Sequence, residues 1–317
     1  MSTELPEVEV VRPGALTTVQ DLGRAGHAHL GVPRSGALDT PAHALANRLL
    51  GNPVEAATLE TTLDGVALRV RGRDAVTVAV TGAPCPVRVA GRPAPWGAPV
   101  RLPAGAVLEV GAATRGVRSY VAVRGGFAVP RVLGSRSTDL LSGLGPAALV
   151  AGAVLPVGRP PSGPPAASTD ALPLPAPPEE LVLPILLGPR DDWFTPESLA
   201  ALTGGTYRVS SATNRIGLRV ESGPPLVRAR PGELASEGMV LGAVQVPPNG
   251  LPVVFLADHP VTGGYPVLGV VPPSALPAAA QVLPGTPVRF GVVGSRAGAV
   301  RPRPSTQRLH PPSDRSA

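Results

Sequence analysis

Residues 66–91 read VALRVRGRDAVTVAVTGAPCPVRVAG, three β-branched runs in succession, each ended by glycine or proline. In VALRV and AVTVAV apolar side chains recur at every second position, the period of a strand with one face in a core. RGRD and TGAPCP supply the turn residues between them, and three strands in so short a span leave no room for a helix. Such spacing is the mark of sheets folded back by tight turns into a sandwich or barrel.

The same pattern extends outward in both directions. EVEVVRP from Glu7, AVLEVGAA from Ala106, SYVAVRGG from Ser119, TYRVSS from Thr206, PVVFLAD from Pro252 and PVRFGVV from Pro287 are all bounded by Gly or Pro. With 42 Pro and 38 Gly among 317 residues and no collagen period, long helices are not expected. Two short ones are. In DTPAHALANRLL, Asp39 to Leu50, Asp39 caps, Pro41 lies in the first turn, and Ala42, Leu45, Ala46 and Leu49 share a face before GNP stops the helix. His43 is read as exposed or half-buried. TPESLAALTGG from Thr195 offers a Thr cap, Pro at the first position and a terminal glycine. Gly158 to Pro178, rich in Pro, Ala and Ser, reads as an extended linker. The organisation expected is a lobe over 1–157, a linker over 158–178, a second lobe over 179–294 and a disordered Arg/Pro tail over 295–317.

All 28 basic residues are arginine, because the chain has no lysine. A Walker A loop, a Schiff-base or pyridoxal-phosphate site and a biotin attachment point are therefore excluded from this chain. Five arginines and one aspartate after Ser295 supply about four of the six net positive charges, which leaves the remainder nearly neutral and gives no footprint for nucleic acid. The single cysteine, Cys85, excludes an intrachain disulfide and any CxxC site. The acidic start MSTELPEVEVV is unlike a signal peptide and no apolar run is long enough to span a membrane, so a cytoplasmic location and no membrane partner are expected.

Polar residues gather in four segments: Thr18–Asp39, Arg124–Asp139, Ser210–Glu221 and Ser236–Pro266. In each, hydroxyls, arginines or amides neighbour glycines that let a ligand approach the backbone, as an anion or polarised carbonyl requires; turn chemistry is the competing explanation. GxSxG and HExxH do not occur, and GLGPAA at Gly143 places a proline where a dinucleotide-binding helix would start. His27 and His29 would share a face of an extended segment, but further ligands are missing and no metal site is expected.

These segments resemble the allophanate hydrolase subunit 2 family, also called the biotin-dependent carboxyltransferase family, whose stand-alone bacterial members are chiefly the C subunits of 5-oxoprolinase. The resemblance is carried by TVQDLGR, GVPRSGALD, LANRLLGN, LETTLDG, YVAVRGGF, LGSRSTDLLSGLG, LGPRDDWFTPE, VSSATNRIGLRV, SEGMVLGAVQVPPNGLPVVFLAD and TGGYP, in order from about Val11 to about Phe290. It implies a mainly β protein of two cyclophilin-like β-barrel lobes with a few short helices. It also implies an ATP-dependent 5-oxoprolinase formed with the A and B subunits of that enzyme, using ATP with Mg²⁺ in the complex to open a small cyclic amide. Two alternatives come with it: a carboxyltransferase taking CO₂ from carboxybiotin on another protein to urea or a similar amide, and a non-catalytic antagonist of a histidine-kinase inhibitor. Where the family reads Arg-Gln-Thr-Thr, this chain has His259, Pro260, Val261 and Thr262.

Activation of a lactam carbonyl calls for cationic donors around phosphoryl oxygens and a carboxylate to manage protons or Mg²⁺. The candidate acids are Asp39, Glu237 and Asp258; the candidate anion clamps are Arg24, Arg136 and Arg215. Ser35, Ser135, Ser137, Ser211, Asn214, Gln245, Thr262, Gly263, Gly264 and Tyr265 complete the candidate binding set. LADHPVTGGYP, Leu256 to Pro266, is expected to form the floor beneath a planar amide, with Asp258 and Tyr265 orienting it. Without a complete triad, metal set or phosphate-binding lysine, the chain is expected to work in a tight complex with the B subunit. Thr18–Asp39 and Ser236–Pro266 would then lie near the seam between the two polypeptides, and Leu, Val and Pro would supply the contact area.

Overall fold

The computed structural model describes residues 5–163 and 177–293, so most of the proposed linker and the whole proposed tail lie outside the described residues. The first lobe contains β1 (Glu7–Arg12), β2 (Leu16–Gln20), α1 (Thr40–Leu49), β3 (Thr58–Thr62), β4 (Ala67–Arg71), β5 (Val76–Gly82), β6 (Val87–Val89), β7 (Arg92–Ala94), β8 (Val100–Leu102), β9 (Val107–Val110), β10 (Ser119–Val123) and β11 (Val154–Pro156). The second contains β12 (Leu181–Leu187), α2 (Pro196–Gly204), β13 (Tyr207–Val209), β14 (Gly217–Glu221), β15 (Glu237–Gly238), β16 (Ala243–Gln245), β17 (Val253–Phe255), β18 (Thr262–Gly263), β19 (Val267–Val270), α3 (Leu276–Ala279) and β20 (Pro287–Val292).

The stretch at 66–91 forms β4, β5 and β6, as its alternation predicts. Its turns carry successive strands between sheets: β4 and β6 belong to a six-stranded sheet, β11-β1-β4-β9-β6-β7, and β5 to a five-stranded one, β2-β3-β10-β5-β8. The two sheets share one core, in which Leu68 and Val70 of β4 join Val78 and Val80 of β5, Val121 of β10 and Leu108 of β9. The first lobe thus encloses its core between two sheets. The second lobe closes as a seven-stranded barrel, β12-β19-β16-β17-β14-β13-β20, sealed by the parallel pairing of β12 with β20. Closure removes the sheet edges.

α1 covers the outer face of the five-stranded sheet, where Ala42, Leu45, Ala46 and Leu49 pack on Ala79, Tyr120 and Ala122. Asp39 caps it, its carboxylate accepting from Ala42 N at 3.0 Å. His43 departs from the sequence expectation, because it is fully buried. One turn apart on the helix, His43 and Asn47 both face the returning segment before β3, where His43 Nδ1 meets Thr58 Oγ1 and Nε2 meets the Val54 carbonyl, each at 2.9 Å. Removal from water lowers the imidazole pKa and keeps it neutral. α2 starts as expected, with Thr195 Oγ1 accepting from Ser198 N.

Leu38 ties the two lobes together. It leaves the first lobe and packs in the core of the second with Leu183, Leu218 and Phe290.

Candidate functional site

All four polar segments meet across this lobe seam, through Ser35, Thr138, Arg215 and Asp258. Ser35 N donates to the Ala257 carbonyl at 3.0 Å, and Ser35 Oγ donates to Asp258 Oδ1 at 2.7 Å and faces the Thr138 carbonyl at 2.9 Å. Thr18–Asp39 and Ser236–Pro266 therefore converge within one chain, at the seam between its own lobes.

Arg215 is the centre of that seam and is buried. Its Nε and Nη2 donate to the two oxygens of Asp258 at 2.9 and 3.0 Å, Nη1 donates to Glu60 at 2.5 Å, and Nη2 also donates to the Gly36 carbonyl at 2.7 Å. The guanidinium thus joins an acid from each lobe in fork geometry. Asp258 accepts in addition from Ser35 Oγ and Leu140 N, and Glu60 from Leu38 N and from Tyr120 Oη at 2.7 Å. Burial raises the Glu60 pKa, but Arg215 and Arg118 outweigh it and hold the carboxyl below its usual range. The same two acids hold Arg215 firmly charged against its own desolvation.

Asp39 lies beside this network. One of its oxygens caps α1 and the other accepts from Gln281 Nε2 at 2.7 Å. Burial raises its pKa, opposed by those two hydrogen bonds. Gln281, from the second lobe, also accepts from Val117 N and Arg118 N and donates to the Arg118 carbonyl, while Arg118 Nη1 donates to the Ala280 carbonyl.

A second cluster forms around Asp21. Its Oδ1 accepts from Gly23 N at 2.8 Å and from Ser135 and Ser137 Oγ, both at 2.6 Å, and its Oδ2 accepts from Arg136 N at 2.6 Å. One carboxylate therefore fixes the loop that carries Ser135, Arg136 and Ser137. Arg24 runs beneath this loop, donating to the carbonyls of Ser137 and Val132. Its Nη1 is buried 4.0 Å from Asp139 without a hydrogen-bond partner among the described residues, and burial lowers its pKa.

A third group lies on the second lobe, where β15 pairs with β18. Glu237 there is held by Arg190, with Nε at 3.1 Å and Nη2 on the other oxygen. Gln245 Nε2 donates to the Tyr265 carbonyl at 3.3 Å, and the exposed Tyr265 ring lies 5.9 Å from the Arg228 guanidinium. An added Cβ on Gly263 would stand 2.7 Å from Gln245 Nε2, so a larger residue here displaces that amide. Thr262 lies in β18, in the same two-stranded pairing, and Gly264 directly follows that strand.

LADHPVTGGYP is not one continuous floor. Asp258 is sealed in the seam, whereas Tyr265 is 44% exposed. His259 is buried between them, stacked on Phe255 at 5.7 Å, with Nδ1 2.8 Å from the Pro260 carbonyl. Burial lowers its pKa, and the carbonyl contact places the neutral ring's proton on Nδ1. Ser211 and Asn214 are exposed; Asn214 Oδ1 accepts from Ile216 N and Gly217 N, a turn that precedes β14 and leaves Arg215 pointing inward. His27 precedes and His29 lies within a short 3₁₀ turn, Ala28–Leu30, and no group of three metal-ligating side chains occurs among the described residues.

Two cavities adjoin these clusters. One, of about 660 Å³, follows the seam and is lined largely by apolar groups including Leu38, Leu241, Leu256 and Leu276, with Arg34 and Ser35 as polar members. The other, of about 670 Å³, lies in the first lobe beside Asp21 and Arg136. Arg136 is thus the one candidate clamp that faces a cavity; Arg24 and Arg215 are engaged inside the protein.

Glu60, Asp21, Arg118, Tyr120 and Gln281 take part without having stood out in the sequence. Glu60 left a trace: it is the lone acid in TLETT, a strand buried on both faces in a chain poor in charge. Gln281 left none.

Comparison with known proteins fits this architecture. Residues 30–292 match the family described as carboxyltransferase domain, subdomain A and B, and the chain belongs to that family. Among individual relatives, the C subunit of 5-oxoprolinase from Escherichia coli (strain K12) is 36% identical over 307 residues, covering 95% of this chain and 96% of the relative. The solved structure of TTHA0988 superposes with a TM-score of 0.80 at 37% identity, over 90% of this chain and 56% of that one. The K. lactis urea amidolyase superposes with a TM-score of 0.83 at 30% identity, over 93% of this chain and 19% of that one. The chain thus spans about half of the first solved relative and about a fifth of the second.

Proposed function

We propose that the chain is the C subunit of a cytoplasmic, ATP-dependent 5-oxoprolinase, acting with the A and B subunits to hydrolyse 5-oxoproline to glutamate. The observation that carries this reading is the nearly end-to-end match to the E. coli protein of that name. The geometry adds what such a subunit would do. Asp39, Glu237 and Asp258 each accept from protein donors, and Asp39 and Asp258 are buried. Arg136, by contrast, uses Nε on the Val129 carbonyl at 2.7 Å and keeps both Nη atoms free of protein acceptors among the described residues, beside the cavity that it lines. The chain in this reading supplies cationic positioning, and a partner subunit supplies the base. ATP, when bound in the complex, supplies the phosphoryl group that activates the lactam oxygen. Guanidinium donors at Arg136 fit phosphoryl oxygens, whereas Asp21, its four contacts already made, does not fit a Mg²⁺ ligand. Reconstitution with the A and B subunits should give phosphate release that depends on 5-oxoproline; three purified subunits without coupled turnover would exclude the assignment.

The likeness to urea amidolyase favours a second reading: transfer of CO₂ from carboxybiotin on another protein to urea or a similar amide. Loss of carboxyl label from a biotinylated carrier on addition of this chain and urea would select it. A third reading, antagonism of a histidine-kinase inhibitor, requires binding of that inhibitor without turnover of either substrate.

A further inference from the structure

The buried Arg24, Arg118 and Arg215 each have an acid within 4 Å; three arginines at the first-lobe cavity do not. Arg131, Arg136 and Arg159 line the 670 Å³ cleft, and none of them forms an ion pair with an acid among the described residues. The acids of the same wall compensate them only in part: Asp21 attracts the Arg136 charge without outweighing desolvation and Arg131. Asp21 is taken up by Gly23 N, Arg136 N and two serine hydroxyls, and Glu55 is exposed. Arg136 and Arg131 are close enough that desolvation and then mutual repulsion depress the Arg136 pKa, the state that a bound anion relieves.

The floor of the cleft is also closely packed. Gly125, at φ +97°, lies so close to Gly158 that a Cβ would collide with the Gly158 carbonyl oxygen. The amides of this floor are engaged, Gly125 N with Asn52, Gly126 N with the Val123 carbonyl and Gly158 N with the Gly126 carbonyl. Recognition must therefore come from the guanidiniums, held on one side by the Asp21-anchored loop.

We propose that this cleft binds a small molecule through a phosphate group gripped by Arg131, Arg136 and Arg159. Two neighbouring guanidinium forks present more parallel N–H pairs than the two oxygens of a carboxylate can receive, whereas a phosphate offers oxygens to both. The volume lies in the range of small-molecule sites, about 300–1,000 Å³, and leaves room for a body attached to the phosphate. Phosphate binding here rests on the reading above, which places phosphoryl oxygens at Arg136, and extends it to Arg131 and Arg159; it is tested by binding without turnover, so that failure of binding and failure of the assigned activity are distinguishable.

Isothermal titration of the full chain at constant ionic strength would use inorganic phosphate, pyrophosphate, ATP without Mg²⁺, and malonate. At least one phosphate-bearing probe is expected to bind with a Kd below about 1 mM, the weak end of specific recognition. The double variant Arg131→Gln/Arg159→Gln, altered only at exposed side chains, should weaken binding at least tenfold, as should Arg136→Gln. Arg73→Gln, exposed and outside the cleft, should not. Tighter binding of ATP than of phosphate identifies a phosphate ester as ligand, and the reverse identifies the free anion. Binding of malonate as tight as any phosphate probe, no binding of any phosphate probe, or unchanged binding by the double variant would overturn the proposal.

Discussion

Replacing Arg215 by methionine removes the one cation that joins Glu60 of the first lobe to Asp258 of the second. Both acids are almost completely buried, so neither gains water in exchange. Glu60 keeps Leu38 N, Tyr120 Oη and Arg118, the last 3.6 Å away, while Asp258 keeps, among the described residues, the hydrogen bonds from Ser35 Oγ and Leu140 N. The larger loss therefore falls on Asp258. Breaking a buried pair by removing one partner typically costs about 3–5 kcal/mol, and a domain's total stability is about 5–15 kcal/mol, so the seam should open well before wild type unfolds. Chemical denaturation of Arg215→Met is expected to show that loss. Adding Asp258→Asn to Arg215→Met should restore part of it, because the amide removes the uncompensated charge. The two changes should couple by at least about 1.5 kcal/mol in a double-mutant cycle, as directly paired residues do. A cost under about 1 kcal/mol, or strictly additive effects, would refute a structural role for this arginine.

Other perturbations test separate parts of the account. Gln281→Ala leaves one Asp39 oxygen and the Val117 and Arg118 N–H groups without their partner, while the Arg118 carbonyl keeps Ala83 N, and should cost about 2–4 kcal/mol in the same denaturation experiment. His43 has a folded pKa below its unfolded value of about 6.5, so the unfolded chain binds the proton first and stability should fall as pH drops below that value, by at most about 1.4 kcal/mol per pH unit; His43→Gln should flatten the slope between pH 7 and 5. Gly125→Ala combines a left-handed φ with a backbone clash at Gly158 and should lower the Tm, with a destabilisation of more than about 2 kcal/mol. Asp21→Ala should speed amide exchange throughout 133–137 by removing the carboxylate that holds that loop.

The β architecture was legible because alternation and punctuation act locally. VALRV, AVTVAV and PVRV form strands where their periods place them, and Asp39 and Thr195 form caps. That one lobe closes into a barrel while the other keeps two sheets depends on pairing between distant segments, such as β12 with β20, which no local period encodes. The candidate site was legible in residue type and less so in grouping. Arg24, Arg136 and Arg215 look alike in sequence, each in a polar segment rich in glycine or serine. Burial separates them: Arg215 binds acids 155 and 43 positions away, while Arg136 faces a cavity. His43 departs from expectation because aliphatic residues alone define the apolar face of α1 in sequence, whereas the polar returning segment that satisfies its imidazole arrives only with the fold.

Arg215 and Arg118 join the two lobes, while the Nη atoms of Arg136 have no protein acceptor among the described residues and line the first-lobe cavity, where the proposed function puts them on substrate. This division of labour is tested most directly by phosphate release, dependent on 5-oxoproline, from the complex with the A and B subunits when this chain carries Arg136→Gln. The variant should assemble and melt like wild type yet lose turnover by about 10²-fold, the usual consequence of removing one preorganised donor to developing charge. Wild-type turnover from a correctly assembled Arg136→Gln complex would contradict the account.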